Sequence, residues 1–160
     1  MKKNQLSVVI SVFNGEKELD DCLRSVSFAD EIVIVNNSST DKTEDVVRKY
    51  TDKIFTRPNN PMLNINKNLG FSKATGEWIL CLDADERVTP ELRDEIKNQI
   101  SNLKDKADGY WIPRKNIIFG KWFEQTGWYP DHHLRLFRYG DGKFPEKHVH
   151  EMIKVTGEMD

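Results

Sequence analysis

The sequence predicts an α/β fold: a mostly parallel central sheet with helices on both faces, followed by a smaller, extended half. Three observations carry that expectation. The 160 residues suit one domain, which at that size buries roughly 70% of its unfolded surface. Short β-branched runs alternate with segments of helical period over residues 6–103, and such alternation builds parallel βαβ units. The alternation then stops near Gly109, beyond which short extended pieces replace long helices.

Leu6 to Phe13 (LSVVISVF) is nearly all apolar, as a strand buried on both faces should be. Glu16 to Val26 places Leu19, Cys22, Leu23 and Val26 on one face of a helix. Glu31 to Val35 (EIVIV) reads as a second buried strand, and Asn36 to Thr40 as a polar turn. Thr40 or Asp41 is expected to cap a helix that turns Val46, Val47 and Tyr50 inward. Ile54-Phe55-Thr56 is a short third strand, stopped by Arg57-Pro58-Asn59-Asn60-Pro61. Asn64 to Ala74 reads as a helix with an internal Gly70, and Glu77 to Leu82 as a fourth buried strand running into Asp83-Ala84-Asp85-Glu86. Thr89 as cap and Pro90 as first residue start a last helix, with Leu92, Ile96, Ile100 and Leu103 on its buried face.

Residues 110–154 hold 10 of the 16 aromatics and all four histidines. Residues 109–160 therefore read as a second half built on the scaffold of residues 1–108. The chain stops at Asp160 with no closing helix, as a piece of a longer protein would. A net charge of −2 argues against a nucleic-acid binder. The run Leu6 to Phe13 is far shorter than the ~20 residues that span a bilayer, and no small-residue cleavage site follows it. These features predict a cytoplasmic protein. Cys22 and Cys81 cannot make a four-thiolate zinc site and read as buried small hydrophobes.

Ligands of open α/β sheets sit at the carboxyl ends of strands, so three loops matter: Asn14-Gly15, Asn36 to Asp41, and Asp83 to Glu86. Asp-x-Asp is expected about once by chance in such a chain. Here it ends a buried strand, where alternate residues point the same way. Both carboxylates would then face one ligand, and hard oxygen ligands suit Mg²⁺ or Mn²⁺ bridged to a diphosphate. Amides and hydroxyls of Asn36 to Asp41 could bond a base or ribose, or simply hold a polar turn. Trp122, Trp128 and Tyr129 suit sugar faces or core packing. Asp131, placed on a loop after Tyr129-Pro130, is a candidate general base. His148-Val149-His150-Glu151 lacks zinc-hydrolase spacing, and its imidazoles fit better near a phosphate or a divalent metal. Arg135 and Arg138 read either as diphosphate partners or as a solvated face. No phosphate-binding P-loop and no dinucleotide-binding glycine motif is present.

In order, LSVVISVFN, EIVIVNNSSTDKT, NKNLGFSKATGEWILCLDADE, and GWYPDHHLRLFR followed by HVHE resemble family-2 nucleotide-sugar glycosyltransferases of the GT-A fold. The later blocks are most similar to the bacterial lipopolysaccharide-core β-glucosyltransferase branch. The resemblance implies that Ser11 and Phe13 border the nucleobase, and that Asn36 stands where an aspartate usually reads uracil N3. It places Lys67 near the nucleotide, Asp83 at the ribose and Asp85 on a metal, Mg²⁺ or Mn²⁺. Asp131 matches the catalytic base, with Glu151 in reserve. Residues 1–108 would bind the donor, a UDP-sugar, and residues 109–160 the acceptor. The implied activity is metal-dependent, inverting transfer to a cell-envelope glycan or glycolipid, with peripheral association at the inner membrane face. A non-catalytic nucleotide- or glycan-binding domain is the alternative. A sugar-nucleotide-forming nucleotidyltransferase would need a glycine-rich, basic phosphate loop that Asn14-Gly15-Glu16-Lys17 does not supply.

Overall fold

The computed structural model describes residues 5–60, 62–102, 107–118, 121–122, 130–146 and 152–160. Four parallel strands form its centre: β1 (Leu6–Val12), β2 (Glu31–Asn36), β3 (Ile54–Thr56) and β4 (Trp78–Asp83). Between and after them run α1 (Leu19–Ser25), α2 (Thr43–Val47), α3 (Leu63–Lys73) and α4 (Pro90–Ser101). In the second half, β5 (Gly109–Arg114) precedes the short pair β6 (Ile117–Ile118) and β7 (Lys121–Trp122). The long strand β8 (Asp131–Arg138) follows, and β9 (Gly142–Lys143) pairs with β10 (Lys154–Val155). The main sheet has the order β3-β2-β1-β4-β8-β5. β8 is antiparallel to β4, and β5 is antiparallel to β8. The second half thus extends the sheet of the first.

Alternation along the buried strands divides the core. On one face Val8, Ile10, Ile32, Ile34 and Leu80 pack against Leu19, Cys22 and Leu23 of α1, Val46 and Val47 of α2, and Ile96 of α4. On the other, Val9, Val33, Ile79 and Cys81 meet Phe71 of α3 and Leu134 and Phe137 of β8. Each large apolar side chain so buried contributes about 1.5–3 kcal/mol. Gly70 explains how α3 lies so close to the sheet: a Cβ there would stand 2.5 Å from Val9 Cγ1 and 3.1 Å from Val35 Cγ2. Buried Glu31 is paired with Lys53 and accepts from Ser7 and Thr75. Burial alone would raise its pKa, but those partners hold it below the usual value.

Two helix starts differ from expectation. α1 begins at Leu19, after a turn in which Gly15 O accepts from Leu19 N. α2 begins at Thr43, because Asp41 Oδ1 accepts from Thr43 N at 3.0 Å before the helix forms. α4 starts as expected, with Thr89 Oγ1 accepting from Leu92 N at 3.2 Å and Pro90 at its first position. No helix among the described residues is long and apolar enough to cross a membrane.

Candidate active site

Register sets the site's edge. Ser11 pairs with Asp83 and Val12 with Asn36, so β1, β2 and β4 end level. β8 runs the other way, bringing its first residue, Asp131, to the same edge, paired with Arg114 at the end of β5.

The loops after β1 and β2 are laced together. Asn14 N donates to Ser39 Oγ at 3.0 Å, Gly15 N to Thr43 Oγ1 at 2.8 Å, and Glu16 N to Asp41 Oδ2 at 3.1 Å. In return, Thr40 N donates to Asn14 Oδ1 at 2.8 Å and Lys42 N to Glu16 Oε2 at 3.0 Å. Asn14 (φ 50°) and Ser38 (φ 59°) sit in the left-handed region, which a non-glycine residue holds only when its surroundings enforce it. The polar groups read as possible base or ribose contacts are therefore largely committed to the turn. Asn36 is 3% exposed, and its Oδ1 accepts from Ser39 N at 2.9 Å. That oxygen supports the turn. The neighbouring Asn37 donates to Ser11 Oγ at 3.0 Å and accepts from Asn66 Nδ2 at 2.6 Å. That relay joins β1, the β2 loop and α3. Phe13, the residue after β1, is 46% exposed.

The end of β4 differs from the expected continuous alternation. The strand stops at Asp83, and the following turn closes with Glu86 N donating to Asp83 O at 3.0 Å. Alternation therefore does not carry through to Asp85, and the two aspartates have different surroundings. Asp83 accepts from Lys67 Nζ at 2.6 Å and from Arg135 Nη2 at 2.9 Å, one on each oxygen. Its burial favours the neutral acid, but these two cations outweigh it and hold the carboxyl well below the usual range. Arg135 also reaches Glu86 Oε1 at 2.6 Å, while Glu86 Oε2 accepts from Asp83 N at 2.9 Å. Asp85 is exposed, with no side-chain hydrogen bond or ion pair among the described residues.

Asp131 begins a strand and is not on a loop. Its Oδ2 accepts from Arg114 Nη2 at 2.8 Å and Asn116 Nδ2 at 3.2 Å. His133 Nε2 is 3.0 Å from its Oδ1, out of line for a hydrogen bond. Against the upward pull of burial, Asn116, His133 and Arg114 lower the Asp131 pKa to about 2. Arg114 Nη1 also stands 3.7 Å from Glu86 Oε1. A continuous chain of charge thus runs from Lys67 through Asp83, Arg135, Glu86 and Arg114 to Asp131. Glu86, Arg114 and Asn116 had no distinguishing local pattern; only strand pairing brings them in. Arg138 lies at the far end of β8, paired with Glu77 at 3.1 Å and stacked 4.4 Å from the Trp78 ring, so it is no diphosphate partner. Glu151, Trp128, Tyr129, His148 and His150 lie outside the described residues. Burial pushes the Cys22 thiol up to about 12 and raises Cys81 too, so both are inert, as expected.

Among the described residues no three His, Cys, Asp or Glu side chains converge as a metal cage. Asp85, exposed in the turn just past β4 and without a side-chain partner among the described residues, nevertheless fits Mg²⁺ or Mn²⁺, since a hard cation at such sites takes most of its ligands from phosphate and water.

A model described as Glycosyl transferase family 2 matches residues 7–153. The chain belongs to glycosyl transferase family 2. This family-2 chain is 29% identical over 163 residues to the lipopolysaccharide core biosynthesis glycosyltransferase LpsC of Rhizobium meliloti, covering 98% of itself and 60% of LpsC. Its fold is similar to S. aureus TarS 1–349, with a TM-score of 0.68, 22% identity, and coverage of 89% of this chain and 51% of that one. The mannosyltransferase PcManGT from Pyrobaculum calidifontis, solved with GDP-Man and Mn²⁺, gives a TM-score of 0.64 at 18% identity, covering 92% and 49%. The family-2 chain thus spans 60% of LpsC and about half of each solved chain. The α/β fold with its mostly parallel sheet is the expected GT-A arrangement.

Proposed function

We propose that this chain is the donor-binding and catalytic part of a metal-dependent, inverting glycosyltransferase that moves a sugar from a UDP-sugar to a cell-envelope glycan or glycolipid. One observation carries the reading: Asp85 just beyond β4, without a side-chain partner among the described residues, the Lys67–Asp83–Arg135 cluster and the carboxylate of Asp131 come from the same end of the sheet. Relatives support its chemistry. TarS 1–349 has been solved with UDP and with UDP-GlcNAc, PcManGT with GDP-Man and Mn²⁺, and LpsC is named for lipopolysaccharide core biosynthesis.

In this reading residues 1–108 hold the donor, with Phe13 and Ser11 bordering the base and Asn36 bracing the turn beneath it. Asp83 reaches the ribose, and Lys67 lies near the nucleotide. Asp85 would hold Mg²⁺ or Mn²⁺, which when bound offsets charge building on the leaving diphosphate. Residues 109–160 face the acceptor. Asp131 takes the proton of an acceptor hydroxyl as its oxygen bonds to the anomeric carbon from the face opposite the diphosphate. The anomeric carbon–oxygen bond breaks, its electron pair leaves with the diphosphate, and the configuration inverts. Glu151 is the second candidate for that base. A glycolipid acceptor would place the protein at the inner face of the membrane, as a peripheral partner.

The test is calorimetric titration of UDP, GDP, CDP and dTDP, with and without Mn²⁺, into the wild type and Asp85→Ala. Metal-dependent binding of UDP, lost in Asp85→Ala, is expected. Binding of no nucleotide would sink the proposal. The tight hold on Asp131 favours a second reading, a non-catalytic binding domain, because a carboxylate with a pKa of about 2 is a weak base. Donor binding without transfer, unaltered by Asp131→Asn, would decide for it.

A further inference from the structure

Arg135 is an anomaly in β8. It sits in the buried run Leu134-Arg135-Leu136-Phe137 and is only 7% exposed. A guanidinium there carries a desolvation cost that an apolar residue of similar size would avoid. A single nitrogen, Nη2, reaches from β8 to both sides of the turn after β4, meeting Asp83 Oδ2 at 2.9 Å and Glu86 Oε1 at 2.6 Å. Glu86 closes the same turn from within, its Oε2 accepting from Asp83 N at 2.9 Å and its N donating to Asp83 O at 3.0 Å. Ala84 and Asp85 are the two residues between these fixed points. Asp85, which has no side-chain partner among the described residues, is therefore carried on a turn whose two ends are held by one buried cation.

We propose that Arg135 is a positioning residue: by bridging Asp83 and Glu86 it sets the orientation of the Asp85 carboxylate, and so the strength with which a divalent cation and a nucleoside diphosphate bind together. The proposal rests on the reading of Asp85 as the cation's ligand. A lysine at this position keeps the charge but ends a flexible stem in a compact ammonium, with no guanidinium plane to hold the bridging nitrogen between the two carboxylates. Partners that orient a metal's ligand typically matter by ~10- to 100-fold in metal affinity.

The experiment measures UDP affinity by calorimetry in Mn²⁺ and in EDTA, for the wild type, Arg135→Lys, Asp85→Ala and the double variant. Expected is a loss of ~10- to 100-fold in the Mn²⁺-dependent gain for Arg135→Lys, the gain being the ratio of the affinity in Mn²⁺ to that in EDTA for the same protein. In the Asp85→Ala background, Arg135→Lys should change nothing further, because the two act through one site. A folded Arg135→Lys protein with the wild-type Mn²⁺ gain overturns the proposal, as does an effect that persists without Asp85. Should Arg135→Lys fail to fold, Glu86→Gln takes its place: it keeps an oxygen for Asp83 N but removes the charge that Arg135 needs. The same loss supports the proposal, and an unchanged gain overturns it. If wild-type UDP binding ignores Mn²⁺, or Asp85→Ala keeps the gain, the metal reading of Asp85 fails first and takes the role of Arg135 with it.

Discussion

Replacing Asp83 by Asn removes a charge that Lys67 and Arg135 share. Removing one partner of a buried pair costs ~3–5 kcal/mol, whereas an exposed pair is worth ~0–1 kcal/mol. Asp83 lies between these limits, its side chain 35% exposed. After the change Arg135 still has Glu86, and Lys67 still lies 5.2 Å from the centre of the Phe144 ring. The expected cost is therefore ~1–2 kcal/mol, or ~2–8 °C in Tm for a chain of this length. The pH dependence gives a second handle. The folded-state pKa of Asp83 is depressed below its ordinary 3.8, so folding favours the ionised form. That stability is fully present above 3.8 and is lost as pH falls from there toward the folded-state value. Thermal unfolding followed by circular dichroism from near-neutral to about pH 3 should show the deficit of Asp83→Asn shrinking as acid is added. A variant melting within about 1 °C of wild type at neutral pH, or a deficit that does not change with pH, would refute this account of the cluster.

Asp131→Asn should cut sugar transfer by ~10²- to 10⁴-fold, the usual worth of a general base, while UDP affinity changes by less than about twofold. Product formation against calorimetry separates the two, and transfer retained within about tenfold would count against Asp131 as base. Gly70→Ala drives a Cβ to 2.5 Å from Val9 Cγ1. The overpacking costs ~1–3 kcal/mol against a helix-propensity gain of ~1 kcal/mol, so urea unfolding should show a net loss, and a stabilised variant would be the contrary result. Thr89→Ala removes the cap bond to Leu92 N at 3.2 Å. A loss of ~1 kcal/mol is expected in the same assay, and no loss would mean that Pro90 alone defines the helix start.

The parts of the fold that could be read directly were those whose burial is written in local pattern. β1 and β2 are rich in β-branched residues, β4 is a run of apolar ones, and all three are buried on both faces, while α1 and α4 carry apolar residues at helical spacing. α3 was harder to read because polar contacts hold much of it. Asn66 bonds Asn37, and Asn68 both donates to Phe144 O and accepts from Phe144 N, each at 2.9 Å. Those partners are distant in the chain, so no periodicity announces them. The Asp83–Asp85 alternation misled for a related reason. A strand's period holds only while the strand lasts, and a single bond from Glu86 N to Asp83 O ends it.

By itself the sequence determined the α/β layering, the family, and the loops at which chemistry would gather, because hydrophobic period and chain order are local properties. The tertiary structure alone decided how those groups are used. Antiparallel insertion of β8 beside β4 carries Arg135 under the turn and Asp131 to the same edge, and β5 then sets Arg114 against Asp131. Charge on a side chain is written in the residue type. Its partner, and with it the pKa of Asp83 and Asp131, depends on strand pairings that join residues 17 and 52 positions apart.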